Sequence, residues 1–164
     1  MNRSAIISPD GLFRYQLVRS WAPHRGRIVW GLHNSSTADA EKDDPTVKRV
    51  IRFTEQYGKG EAIVVNPMAY RTMNPRRLLE VEDPVGPENG RWLADAMADA
   101  DIVVVGWGNV HPKLTRFVDS LVESFVKVGL KLWCLGRTES GQPKHPLARG
   151  KHFVPYGKEL EPWP

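Results

Sequence analysis

The chain has 164 residues, 41% of them hydrophobic and 26% charged, a composition that suits one domain spanning residues 1–164 and excludes wholesale disorder. No apolar run approaches the roughly 20 residues that cross a membrane, and the first ten residues lack a signal peptide's apolar core, which points to a cytoplasmic protein without a membrane partner. The net charge of +4 and pI near 9.3 are compatible with a polyanionic partner, and the single cysteine, Cys134, excludes an intrachain disulfide and a zinc site built on thiolates.

The chain opens with a hairpin at about residues 5–19: Ala5–Ile7 and Leu12–Val18 are apolar or alternating, and Ser8-Pro-Asp-Gly11 between them is turn chemistry. Arg27–Leu32 reads as a buried strand that breaks into Asn34, Ser35, Ser36, Thr37 and Asp39. Asp44-Pro45 then starts a helix as N-cap and first helical residue, and the helix runs to Tyr57 with Val47, Val50, Ile51 and Thr54 on one face. Ala62–Val65 is a second strand, closed by Asn66-Pro67, and Asn74-Pro75 opens a short helix. Pro87–Ala100 is helical and Asp101–Val105 is a third strand ending at Gly106-Trp-Gly108. Pro112–Val128 carries Leu114, Phe117, Leu121, Val122 and Phe125 at helical spacing, and Leu130–Leu135 is a fourth strand with Cys134 as a buried, inert thiol. Gly157–Pro164 reads as a loosely held surface tail. Apolar strands alternating with helices predict an α/β fold: a three-layer sandwich around a central, mostly parallel four-stranded sheet, with the N-terminal β-hairpin added to it.

In such a sheet the loops after the strands' C-terminal ends gather along one edge. Here they are His33–Asp44, Asn66–Asn74, Gly106–Pro112 and Gly136–Leu147, and they supply Asn34, Ser36, Asp39, Asn66, Tyr70, Arg71, Trp107, Lys144 and His145. Each has an ordinary alternative: Asn34 as a brace of its own loop, Asn66 as a turn residue before proline, His145 as a loop histidine, Asp43-Asp44 as helix capping rather than a metal site. A nucleophile elbow and a phosphate-cradling glycine loop are both absent.

The segments His33-Asn-Ser-Ser-Thr-Ala-Asp39, Asp43-Asp-Pro-Thr46, Val65-Asn-Pro-Met-Ala-Tyr-Arg71, Val85-Gly-Pro-Glu-Asn89, Gly106-Trp-Gly108 and Leu135-Gly-Arg-Thr with Gly141-Gln-Pro-Lys-His-Pro-Leu147 together resemble the DUF1643 family, from about Tyr15 to Leu147. Members usually carry proline where this chain has Ser35. More distantly, the order of motifs is similar to the uracil-DNA glycosylase superfamily. That resemblance implies a sheet between helices, Asn34 in the position that orients a hydrolytic water, Asn66 as reader of a flipped base, and His145 as the group that stabilises the departing base. Ser36, Asp39, Tyr70, Arg71, Trp107 and Lys144 fall in the same motifs as substrate-binding candidates, Tyr70 or Trp107 by stacking and Arg71 and Lys144 by contacting phosphate.

Cleaving an N-glycosidic bond needs donors for the charge that develops on the leaving base and no metal or organic cofactor. Three functions are consistent with these residues: a glycosylase-like enzyme on a nucleobase in DNA, a nucleic-acid or nucleotide-binding protein that lacks the hydrolysis, and an enzyme on a free nucleotide. DNA or a nucleotide is the expected partner in each.

Overall fold

The computed structural model describes residues 1–164 as an α/β protein with a seven-stranded mixed sheet and three α-helices. The strands are β1 (Asn2–Ile7), β2 (Arg14–Ser20), β3 (Arg27–Gly31), β4 (Glu61–Val65), β5 (Ile102–Val105), β6 (Leu132–Cys134) and β7 (Glu161–Trp163); the helices are α1 (Pro45–Gln56), α2 (Asn89–Ala98) and α3 (Thr115–Lys127). Across the sheet the order is β1-β2-β4-β3-β5-β6-β7.

Four strands is therefore too small a count. β4, β3, β5 and β6 pair in parallel, and both ends of that run are extended by antiparallel pairing. The hairpin is a continuation of the sheet, because β2 pairs with β4 from Leu17 opposite Val64 to Ser20 opposite Glu61. At the other end β7 pairs with β6, Leu132 opposite Trp163, so the tail expected to be loose ends in a strand. It is held by Trp163, whose ring packs edge-on against Trp107 at 5.9 Å, and by the Tyr57 hydroxyl, which donates to the Lys158 carbonyl at 2.7 Å.

Strand alternation divides the core between the two faces of the sheet. Ile28 and Trp30 of β3 pack with Val47, Val50 and Phe53 of α1, while Val29 packs with Leu93 and Ala96 of α2 and Val118, Leu121 and Phe125 of α3. The indole of Trp30, fully buried, donates to Thr54 Oγ1 of α1 at 3.0 Å and thereby keeps its N–H satisfied in the core. Asp44 caps α1 as the sequence predicts, accepting the Val47 N–H at 2.8 Å with Pro45 in the first turn. Asn74 does the same for a short 3₁₀ turn at Pro75–Leu79. The start of α1 consequently stands beside the ends of β3 and β4.

Candidate functional site

The ends of β3 and β4, the first turn of α1 and the loop after β6 enclose a cavity of about 40 Å³, lined by Arg14, Leu32, Asn34, Ser36, Asp44, Thr46, Val47, Val64, Asn66 and His145. Four of the residues singled out by sequence, Asn34, Ser36, Asn66 and His145, thus meet at one place although they lie in three separate loops. The volume is that of a single water-sized group.

Asn66 is 1% exposed. Its Oδ1 accepts from Ser35 Oγ at 3.2 Å and lies 3.5 Å from Arg14 Nη2, while its Nδ2 has no partner within the protein. Its backbone carbonyl is held by Asn89 Nδ2 at 2.9 Å, so the residue is fixed from two sides. The single hydroxyl proton of Ser35 is shared between Asn66 Oδ1 and the Arg14 carbonyl, 2.9 Å away. The Leu147 N–H donates to His145 Nδ1 at 3.0 Å, which leaves the proton of the neutral ring on Nε2. Burial, with His33 nearby, lowers the His145 pKa to about 4, so the ring is neutral at physiological pH and Nε2–H is a donor.

Asn34 lines the cavity with an amide already engaged. Its Nδ2 donates to the carbonyls of Ser35 at 2.9 Å and Thr72 at 3.0 Å, and His33 Nδ1 is 2.9 Å from its Oδ1. It braces the first loop against the second.

Two residues of the cavity escape sequence reasoning. Arg14, on β2, is 3% exposed. It donates to the Ala38 carbonyl at 2.9 Å, its Nε has no partner, and no carboxylate lies within ion-pair distance. Burial lowers its pKa to about 10, with the Asp44 charge opposing that shift. Arg19, five residues along the same strand, shows what a structural arginine looks like here. It is equally buried, but pairs with Asp43 at 2.7 Å and donates to the carbonyls of Val18 and Asp39. The only sequence signal for Arg14 was a cation inside the run Leu12–Val18. Asp44 is the second case. One carboxylate oxygen caps α1, and the group also faces the cavity between Arg14 and His145, whose charges it influences.

The other candidates lie elsewhere. Asp39 spends its carboxylate on the N–H groups of Glu41 and Lys42, which lowers its pKa and closes a turn. Tyr70 packs edge-on against Phe13 at 6.0 Å. Arg71 lies in a groove of about 290 Å³ with Gly11, Ser36, Thr37, Thr72 and Met73, so Ser36 is common to groove and cavity. Trp107 belongs to the core on the α3 face of the sheet, across from the cavity-lining Leu32, Val47 and Val64 on the α1 face. Its indole donates to Gln142 at 3.0 Å. Lys144 runs past Gly136 toward Glu161 at the β6 edge. The four loops therefore do not form one cleft: the Trp107 side chain turns to the α3 face, although the backbone of Gly106-Trp-Gly108 packs against the His145 segment. The Gly108 N–H donates to the Pro143 carbonyl at 2.8 Å, and His145 is the fourth loop's one contribution to the cavity. Cys134 is buried and its thiol pKa is raised by burial, as an inert core thiol requires.

A second-layer device holds His145. Arg49, one turn into α1, donates through Nε to the Pro146 carbonyl at 2.9 Å and through Nη2 to the Val154 carbonyl. Its guanidinium also lies over the rings of Phe53 at 4.9 Å and Tyr156 at 4.3 Å. The planar fork and the stacked rings clamp the segment after His145 onto the helix that carries Asp44. No group of three or more His, Cys, Asp or Glu side chains is placed to hold a metal ion, and no helix is long and apolar enough to cross a membrane.

The family model DUF1643, described as a protein of unknown function, matches residues 14–147; the chain belongs to the DUF1643 family. No curated protein and no solved structure matches it. The likeness to uracil-DNA glycosylases rests on motif order alone.

Proposed function

We propose that this member of the DUF1643 family is a glycosylase-like hydrolase that cleaves the N-glycosidic bond of a flipped nucleobase, ordinary or modified, in DNA. The observation that carries the proposal is the convergence of Asn66, His145, Arg14 and Asp44 on one cavity, with donors left unpaired inside it. Asn66 Nδ2–H, Arg14 Nε–H and His145 Nε2–H suit an oxygen on which negative charge builds, and an enclosed site strengthens each of them. The space of about 40 Å³ takes one such oxygen, so the exocyclic oxygen of the base enters and its ring stays outside. With the base oxygen filling that space, the attacking water would stand at its mouth, where Asp44, the one carboxylate in the lining, orients it and takes its proton, the role that motif order assigned to Asn34. Arg71 in the adjoining groove would take a backbone phosphate, with Ser36 between the two sites.

A second reading, a nucleic-acid or nucleotide-binding protein that lacks the hydrolysis, is favoured by the complete engagement of the Asn34 amide; an enzyme on a free nucleotide would use the same cavity. Incubation with oligonucleotides carrying uracil, mismatched or modified bases, read as abasic-site formation, separates them. On the glycosylase reading at least one substrate yields abasic sites, and His145→Ala and Asn66→Ala each lower the rate by about 10²-fold or more. Tight DNA binding with no abasic product across the panel would establish the second reading instead. Failure to bind DNA at low salt would remove both.

A further inference from the structure

The largest cavity lies on the opposite face of the sheet from Arg14 and His145. It measures about 400 Å³ and is bounded by the loop after β5, by α3, by the loop after β6 and by β7, within the size range of pockets that enclose a small organic ligand. Val110, Val118 and Val122 form an aliphatic wall and the perpendicular pair Trp107–Trp163 an aromatic one.

The polar rim is oriented by hydrogen bonds that leave its amides one way round. Asn109 Oδ1 accepts from Thr138 Oγ1 at 2.8 Å and from Ser140 Oγ at 2.7 Å, which commits the oxygen and turns the NH₂ group outward. Gln142 Oε1 accepts the Trp107 indole N–H at 3.0 Å, with the same result for its own NH₂. Two amide donors are thereby presented at one cavity, and Asp119 of α3 adds the one acidic side chain in its lining. Neither amide is needed to satisfy a backbone group there. Asn109 is exposed and Gln142 half-buried, so both NH₂ groups are open to a ligand that enters from solvent.

We infer that this cavity is a second ligand site, separate from the Arg14–His145 cavity, that takes a planar oxo-heterocycle: a ring bearing carbonyl oxygens for the Asn109 and Gln142 donors and a ring N–H for Asp119. Flat faces suit the aromatic and valine walls, and the donor pattern selects oxo over amino substituents. The site stands whether or not the chain cleaves a glycosidic bond, because none of its residues lines the other cavity.

The test is a titration of the ¹⁵N-labelled full chain with xanthine, uracil and adenine, reading the side-chain amide signals of Asn109 and Gln142 and the Trp107 indole N–H. Xanthine and uracil are expected to shift these signals saturably, and adenine, which offers an amino group and no carbonyl, to bind at least tenfold more weakly. Gln142→Glu retains an acceptor for the Trp107 N–H while replacing the outward NH₂ by a carboxylate oxygen, so it is expected to abolish the shifts of the Asn109 amide and the Trp107 indole in a chain that still folds. Asp119→Ala, at an exposed helix position, is expected to weaken binding by about tenfold. The inference is overturned if neither oxo ring moves these signals, if adenine binds as well as xanthine, if Gln142→Glu binds like the wild type, or if shifts are confined to residues around Arg14 and His145. That last outcome would support the hydrolase cavity while removing this one.

Discussion

Arg14 and Arg19 share a strand and a degree of burial, yet one has a carboxylate at 2.7 Å and the other has none within ion-pair distance. Removing Arg19 leaves Asp43 with the half-exposed Arg3 at 3.0 Å as its one cation and deprives the Val18 and Asp39 carbonyls of a donor, so Arg19→Met is expected to cost about 3 kcal/mol in denaturant unfolding. Arg14→Met removes a cation whose desolvation is offset by one short bond to the Ala38 carbonyl, a long contact with Asn66 and the more distant Asp44 charge, and is expected to cost less than half as much while abolishing any base release. Equal losses of stability in the two variants would mark Arg14 as structural. His145 adds a pH dependence whose sign follows from its depressed pKa. The unfolded chain binds its proton near the usual 6.5 and the folded chain only near 4. The stabilising contribution is therefore complete above pH 6.5, is lost as pH falls from there toward 4, and amounts to at most about 3 kcal/mol. Burial shifts His33 in the same direction, so His145→Gln is expected to flatten only part of the slope in urea unfolding measured from pH 7.5 to 4.5. A wild-type stability independent of pH over that window would contradict a neutral, buried His145. Sequence made His145 visible because it closes a polar loop; it hid Arg14 because a cation inside an alternating strand reads as a solvent-facing residue.

At the scale of elements, the first turn of α1 performs two tasks with one side chain. Asp44 caps the helix through Oδ1 and turns the same carboxylate toward the cavity. Asn caps a helix about as well as Asp, whereas Ala does not. Asp44→Ala is thus expected to lose about 1 kcal/mol of stability together with activity. Asp44→Asn is expected to keep the melting temperature within a degree or two and to lose base release all the same. If Asp44→Asn remained active, the carboxylate would be a cap and nothing more. The Asp-Pro signal made the start of the helix legible to the residue, and its very strength assigned Asp44 to capping alone. Whether a capping side chain also faces a cavity depends on which strands lie beside it, and β2 and β4 come together only through pairing across 40 or more residues. The parallel run from β4 to β6 was legible because each strand is a short apolar segment ended by turn chemistry. β7 was not, since Glu-Pro-Trp has neither alternation nor an apolar run, and it becomes a strand by pairing with the β6 edge.

At the scale of the whole molecule, a sheet with cores on both faces keeps its two cavities apart. Loops that leave the same edge of a sheet diverge according to the face their helix covers, which is why Trp107 and Asn109 part from Asn34 and Asn66 although all four follow strand ends. Trp163 tests that separation. Its half-buried ring meets Trp107 edge-on at 5.9 Å and lies under the Arg137 guanidinium at 5.0 Å, so Trp163→Ala is expected to cost roughly 2 kcal/mol from lost apolar burial and the aromatic pair. The loss would fall on the β6–β7 edge and on the wall of the larger cavity, exposing β6 as a free strand edge. Arg14, Asp44 and Asn66 are held by β2, α1 and β4, none of which touches Trp163, and His145 is held by the Arg49 clamp as well as by the Gly108–Pro143 and Gly136–Lys144 backbone bonds. Hydrogen exchange should therefore rise in β6 and the loop Gly136–Gln142, while the amides of α1 and β4 keep their protection and any base release persists at wild-type rate. Loss of protection at α1 in the same variant would mean that the two faces unfold as one unit, and the cavities would then share their stability even though they share no residue.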